Sequence, residues 1–135
     1  CNLLQVPEVR KRCGDELNLY SGEDGLVTML LGAGGLGVIS VVANLLPEHM
    51  HQMVTSFLDG DQKKAWQMQL EILDLVGALF CEVNPIPVKE AFDILGMDEN
   101  FSRRRAPLAA MSPANRERLE KAMAAHGLTK GSLNL

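Results

Sequence analysis

Glycines at 32, 34, 35 and 37 stand between an amphipathic stretch and the run VISVV at 38–42. An unbroken β-branched run suits a strand buried on both faces. The glycines suit a tight helix-to-strand reversal, where positive φ is needed and other residues resist it. A helix, a glycine turn and a buried strand in that order point to an α/β fold with parallel strands linked by helices. The same glycines also match G-x-G-x-x-G over 32–37. A dinucleotide loop follows a strand and opens a helix, so that the helix N-terminus meets the pyrophosphate. Here the order is reversed, so the spacing predicts a turn and not a nicotinamide or flavin site.

Around this pivot the pattern reads as helix, strand, helix, strand and four further helices. Pro7 suits a first helical turn, residues 7–13 run from acidic to basic, and Gly14 stops them. Residues 17–20 are extended, and Ser21-Gly22 turns the chain. Asp24 can cap a helix over 25–32 that faces Leu26, Met29, Leu30 and Ala33 inward. Pro47 opens a helix to residue 59, and Asp61 caps one long helix to about Cys81. Two adjoining apolar stripes line that long helix: Trp66, Leu70, Leu73, Gly77, Phe80, and Ala65, Met68, Ile72, Leu75, Leu79. So wide a face predicts burial against more than one neighbour. A helix over 87–95 stops at Gly96. Ser112-Pro113 starts a last helix to about His126, and a loose tail follows. Two parallel strands alone make no stable sheet. Their neighbours must come from another copy or from a larger α/β domain.

Composition narrows the function classes. The chain has 135 residues, 47% of them apolar, so it can bury a core. A net charge of −4 with both signs interspersed gives no electrostatic case for nucleic acid. The basic runs at 10–12 and 103–105 read as helix-end and loop charges in water. Gly, Asn or Pro breaks every strongly apolar stretch before it could span a bilayer, and nothing reads as a signal peptide. Cys1, Cys13 and Cys81 are odd in number and form no CxxC, which fits reduced thiols in the cytoplasm. His49 and His51 face different sides of a helix, so no metal site is expected. The seven methionines read as core filler, Trp66 as packing for the long helix and Tyr20 as a packing residue.

In α/β folds the carboxyl ends of strands carry the chemistry, which draws attention to residues 21–24 and 40–44. The segments LYSGED at 19–24, GAGGLGVISVVAN at 32–44 and NPIPVK at 84–89 occur in order. Together they resemble the dihydrodipicolinate synthase family of pyruvate-dependent class I aldolases, relatives of N-acetylneuraminate lyase. The likeness runs from about residue 7 to about residue 127. It implies the C-terminal portion of a (β/α)8 barrel, with 17–20 as strand seven and 38–42 as strand eight, plus a C-terminal helical region. It divides the chain into the last part of the barrel over 1–59, the helical region over 60–127 and a tail over 128–135.

The resemblance implies condensation of pyruvate with aspartate semialdehyde in diaminopimelate and lysine biosynthesis. A lysine forms a Schiff base with pyruvate and no cofactor is needed. The family places that lysine, the proton-relay tyrosine and the substrate-carboxylate arginine upstream of residue 1. No catalytic residue is therefore expected in this chain, and alone it should be inactive. Lys63, Lys64 and Lys89 sit on or beside outer helices in polar surroundings and are no substitutes. Four positions carry over as substrate-binding. Gly22 matches the glycine whose backbone approaches pyruvate. Ile39 matches the residue whose carbonyl faces the lysine and tyrosine. Asp24 and Ser40 match contacts to the second substrate in the lyases; a helix cap for Asp24 and a packed strand residue for Ser40 are the plainer readings. At Gly25 a sialic-acid lyase would offer a carboxylate, so the glycine and NPIPVK favour the synthase. The family further implies a homo-oligomer. Open alternatives are a related pyruvate aldolase and a non-catalytic half-barrel that self-associates or binds a partner.

Overall fold

The computed structural model describes residues 4–132. The chain forms two compact units, residues 1–72 and 73–135. In the first unit, helix α1 (Gln5–Cys13) closes at Gly14, whose N–H donates to the Arg10 carbonyl at 2.8 Å. Strands β1 (Tyr20–Ser21) and β2 (Gly37–Val38) pair in parallel, Tyr20 opposite Gly37 and Ser21 opposite Val38. The ladder continues one residue either way: Leu36 N–H donates to the Leu19 carbonyl and Ile39 N–H to the Ser21 carbonyl, both at 2.8 Å. The Tyr20 ring covers Gly37, where an added Cβ would stand 3.4 Å from it.

The connection between the strands is a 3-10 turn (Asp24–Leu26) running into helix α2 (Val27–Gly32). Its inward residues are Val27, Thr28 and Leu31, while Met29 is exposed. The inward face is therefore not the expected Leu26, Met29, Leu30 and Ala33. A 3-10 turn advances three residues per turn instead of 3.6, and the helix that follows it carries the shifted face. The glycines after α2 serve as a turn. Gly34 has φ +84°, and a Cβ on Gly35 would lie 2.9 Å from the Leu30 carbonyl oxygen. Arg10 clamps this turn by donating to the carbonyls of Gly34, Gly14 and Leu17. Its guanidinium is thus a tertiary fastener, not a charge left in water.

The expected strand over 38–42 is cut short. Val41 and Val42 N–H turn to the Asp24 carboxylate, and Ser40 Oγ accepts from Ala43 N–H. With those donors taken, the chain coils into a 3-10 turn (Val42–Asn44) instead of extending the ladder. Helix α3 (Pro47–Leu58) begins at its proline as expected. Helix α4 (Gln62–Glu71) is capped by Asp61, whose carboxylate accepts Lys64 N–H at 3.1 Å. Val27, Leu31, Val42, Met53 and Ile72 build the core of this unit.

The second unit is helical: α5 (Leu73–Leu79), α6 (Ile86–Ile94), α7 (Glu99–Ser102) and α8 (Pro113–Ala125). The single helix expected from Asp61 to Cys81 is two helices, interrupted at Ile72. Only its second stripe is buried. Trp66, Leu70, Leu73 and Phe80 are all between 38% and 44% exposed, so Trp66 does not serve the core. Helix α7 was not expected; Asp98 starts it by accepting Asn100 N–H at 2.8 Å. Ser112 caps α8 through Asn115 N–H as the sequence suggests. The core is Leu75, Leu79, Ala91, Leu95, Leu119 and Met123. Glu90, buried beneath it, lies 2.8 Å from Arg104 and 2.7 Å from Arg116, so Arg104 of the basic run is an internal partner. The chain after α8 is docked, not loose, as far as Gly131: Leu128 is buried and Gly131 N–H donates to the Leu95 carbonyl at 3.0 Å. Residues 133–135 of the expected tail lie outside the described residues. No helix among the described residues is long and apolar enough to cross a membrane.

Candidate functional site

Because β1 and β2 run parallel, their carboxyl ends emerge side by side and bring residues 21–24 next to residues 39–44. The first segment is a tight polar turn. Ser21 Oγ donates to the Glu23 carbonyl at 2.9 Å and accepts Glu23 N–H at 3.1 Å, an ST-turn closed within three residues. Gly22, at its apex, is exposed and has nothing within 4 Å of the place a Cβ would occupy. Glu23 caps the 3-10 turn, accepting Gly25 N–H at 3.4 Å, so the capping role expected of Asp24 belongs to its neighbour.

Asp24 points the other way. It is 1% exposed, and its Oδ2 accepts the N–H groups of Val41 at 2.9 Å and Val42 at 3.2 Å. The carboxylate thereby ties the end of β1 to the turn after β2. Two N–H donors on one oxygen are charge-assisted bonds of the stronger kind. Its Oδ1 is buried and has no hydrogen-bond partner among the described residues.

The second segment presents Ile39 and Ser40. Ile39 is 77% exposed, and its N–H is held by the Ser21 carbonyl. Ser40 is half-buried, with its Oγ accepting Ala43 N–H at 2.8 Å. Ser40 also lines a recess of about 320 Å³ with Tyr20, Val38, Pro47 and His51. Of the four expected substrate positions, Gly22 and Ile39 are open at the strand ends, Ser40 lines the recess and Asp24 is enclosed beneath them.

The sequence reading missed Gln69. It reaches from α4 under this turn, and its Nε2 donates to the Asp24 carbonyl at 2.8 Å. A signal was available: Gln69 is a polar residue between Ala65, Met68 and Ile72 on the buried face. His49 is half-buried, its Nε2 2.9 Å from the Met68 carbonyl. Among the described residues no group of three or more His, Cys, Asp and Glu side chains could hold a metal ion. Lys63 and Lys64 lie on the exposed side of α4, and Lys89 donates to the Phe101 carbonyl at 3.1 Å.

Comparison with known proteins gives a consistent result. The model of the dihydrodipicolinate synthetase family matches residues 1–126. The 4-hydroxy-tetrahydrodipicolinate synthase of Caldicellulosiruptor bescii is 45% identical over 128 residues, which are 95% of this chain and 42% of that enzyme. The corresponding enzyme of Acetivibrio thermocellus is 43% identical, covering 95% of this chain and 43% of its own length. Among solved structures, dihydrodipicolinate synthase from Aquifex aeolicus superposes with a TM-score of 0.89 at 35% identity, over 97% of this chain and 44% of that one. The chain thus spans less than half the length of the relatives it matches.

Proposed function

Since the chain belongs to the dihydrodipicolinate synthetase family, we propose that it is the C-terminal portion of a Schiff-base aldolase. The reaction is condensation of pyruvate with aspartate semialdehyde, a step of diaminopimelate and lysine biosynthesis in the cytoplasm. The observation that carries this reading is the family match over residues 1–126, in a chain whose two parallel strand ends converge on Gly22 and Ile39. In this reading β1 and β2 are the last two strands of a (β/α)8 barrel, residues 1–59 complete that barrel and residues 60–127 form the helical region after it.

The roles of the individual residues are those the family resemblance implies. Gly22 offers an open backbone to pyruvate at the end of β1. Ile39 turns its main-chain carbonyl to the lysine that carries pyruvate, which lies on the upstream part of the barrel. Ser40 borders the second substrate from its recess. Asp24 serves the same pocket, and its buried carboxylate gives it a holding role through the turn at residues 40–44. No cofactor is needed, because the pyruvate imine itself is the electron sink.

The barrel reading also accounts for the open sheet. Tyr20, Leu36 and Ile39 are exposed on or beside a sheet that has two strands among the described residues, as expected where further strands would add. The same exposure supports a second reading, a non-catalytic half-barrel that covers these edges with another copy of itself. Assembly into a homo-oligomer fits both, and one related structure is described as the first monomeric dihydrodipicolinate synthase variant.

The deciding experiment is intact mass spectrometry of the protein from its native source after incubation with pyruvate and borohydride. A polypeptide heavier than these 135 residues and carrying a trapped pyruvate adduct is expected. A mass equal to the 135 residues, with no adduct, would overturn the aldolase reading in favour of the half-barrel.

A further inference from the structure

Gln69 is 1% exposed on a helix whose other buried positions are Ala65 and Met68. Burying a primary amide is costly unless its donor and acceptor are both paired. Here both are. Nε2 donates to the Asp24 carbonyl at 2.8 Å, and Oε1 accepts Thr28 N–H at 3.3 Å. These partners also decide which way the amide points, since the flipped group would set donor against donor and acceptor against acceptor.

The two partners are four residues apart, the C=O of residue i and the N–H of residue i+4 that an α-helix would join directly. The Gln69 amide bridges them where the 3-10 turn Asp24–Leu26 gives way to α2. From Asp24 the connection continues: its carboxylate accepts Val41 and Val42 N–H, and those residues immediately follow Ile39 and Ser40. Asp24 Oδ1 and Thr28 Oγ1 are buried with no hydrogen-bond partner among the described residues.

We propose that Gln69 is a positioning residue for the strand-end site. It fixes Asp24, and through Asp24 it fixes the turn that carries Ile39 and Ser40. This rests on the aldolase reading of that site. Gln69 touches no substrate; it sets where the backbone that does so stands.

Two variants separate its bonds. Gln69→Glu, assayed at a pH where the carboxylate is ionised, keeps the shape and the acceptor for Thr28 but removes the donor to Asp24. Gln69→Leu removes both. Ile72→Val is the control, a buried position one turn on that takes no part in the hydrogen bonds. The first readout is amide hydrogen exchange of this chain by NMR. Val41 and Val42 should exchange about tenfold faster in both Gln69 variants, as their carboxylate partner loses its anchor, with Met53 and Ala65 unchanged. A merely structural role would raise exchange evenly across α3 and α4, and that outcome, or no change at Val41 and Val42, would overturn the proposal. The second readout is steady-state kinetics of the intact enzyme. Misplaced strand ends should lower kcat about tenfold with the KM for pyruvate changed less than about twofold, while Ile72→Val stays near wild type. Equal kinetic losses in Gln69→Glu and Ile72→Val would also overturn it. A wild-type enzyme that forms no pyruvate adduct would instead overturn the aldolase reading, and with it the role drawn for Gln69.

Discussion

Glu90 offers the sharpest test of how the second unit holds together. Its side chain is 8% exposed and lies between two guanidinium groups, Arg104 at 2.8 Å and Arg116 at 2.7 Å. The Arg116 contact is a directed hydrogen bond. The Arg104 contact is ionic only, because its buried Nη1 is not aligned to donate to any acceptor. Glu90→Gln changes no volume, so no cavity forms. It removes the negative charge and turns an NH2 group toward one of the two cations. Breaking a buried pair costs about 3–5 kcal/mol. The arginine side chains are 21% and 35% exposed, which puts the expected loss at the lower end, about 3 kcal/mol after screening. For a chain of this size that corresponds to a fall in Tm of roughly 10 °C. The assay is urea denaturation followed by circular dichroism, with thermal melts in parallel. The partner experiment is Glu90→Leu combined with Arg104→Met. Replacing the ions by apolar groups should recover much of what Glu90→Leu loses alone. A Glu90→Gln protein within about 0.5 kcal/mol of wild type would refute the reasoning and leave the cluster a solvated charge network worth little.

Three further outcomes are expected. Gly35→Ala should cost about 1–3 kcal/mol in urea denaturation, because the new Cβ would meet a backbone carbonyl only 2.9 Å away; a neutral result would mean the glycine turn relaxes freely. Hydrogen bonds from the Asn115 side chain and from Ser112 hold the Glu82 carboxyl below its ordinary value of 4.5. Its contribution to anchoring the start of α8 is therefore fully present above about pH 4.5 and is lost as pH falls through the lowered value. Glu82→Gln should flatten that acid limb in a pH series of melts, and an unchanged series would count against the anchor. Finally, the chain by itself should sediment as a dimer or larger species because of the open edges beside Tyr20 and Ile39, and a cooperative monomer would contradict this.

The elements that could be read from the sequence are those decided within a few residues. Asp61 before α4, Ser112-Pro113 before α8 and the glycine reversal after α2 each act on their own turn of backbone. The parallel pairing was legible because a helix between two apolar strands returns the chain to the same end of the sheet. The strand ends were singled out as the place to look, and the parallel pairing sets the two of them side by side. Their internal arrangement was not readable, because Asp24 could cap its own turn or reach elsewhere and both use the same carboxylate.

Tertiary structure decided which option won. Asp24 bonds residues 17 and 18 positions away, Arg10 clamps a carbonyl 24 positions away and Gln69 spans 45. Each such bond captures a group that local propensity had assigned to something else. Val41 and Val42 leave the strand because their N–H groups find a carboxylate, and Gln69 tolerates burial because its amide finds both partners. A sequence shows which side chains can donate, accept or hide from water. Folding brings distant groups within 3 Å of one another, and only then does the cost of leaving a buried group unpaired select one arrangement among the several the sequence permits.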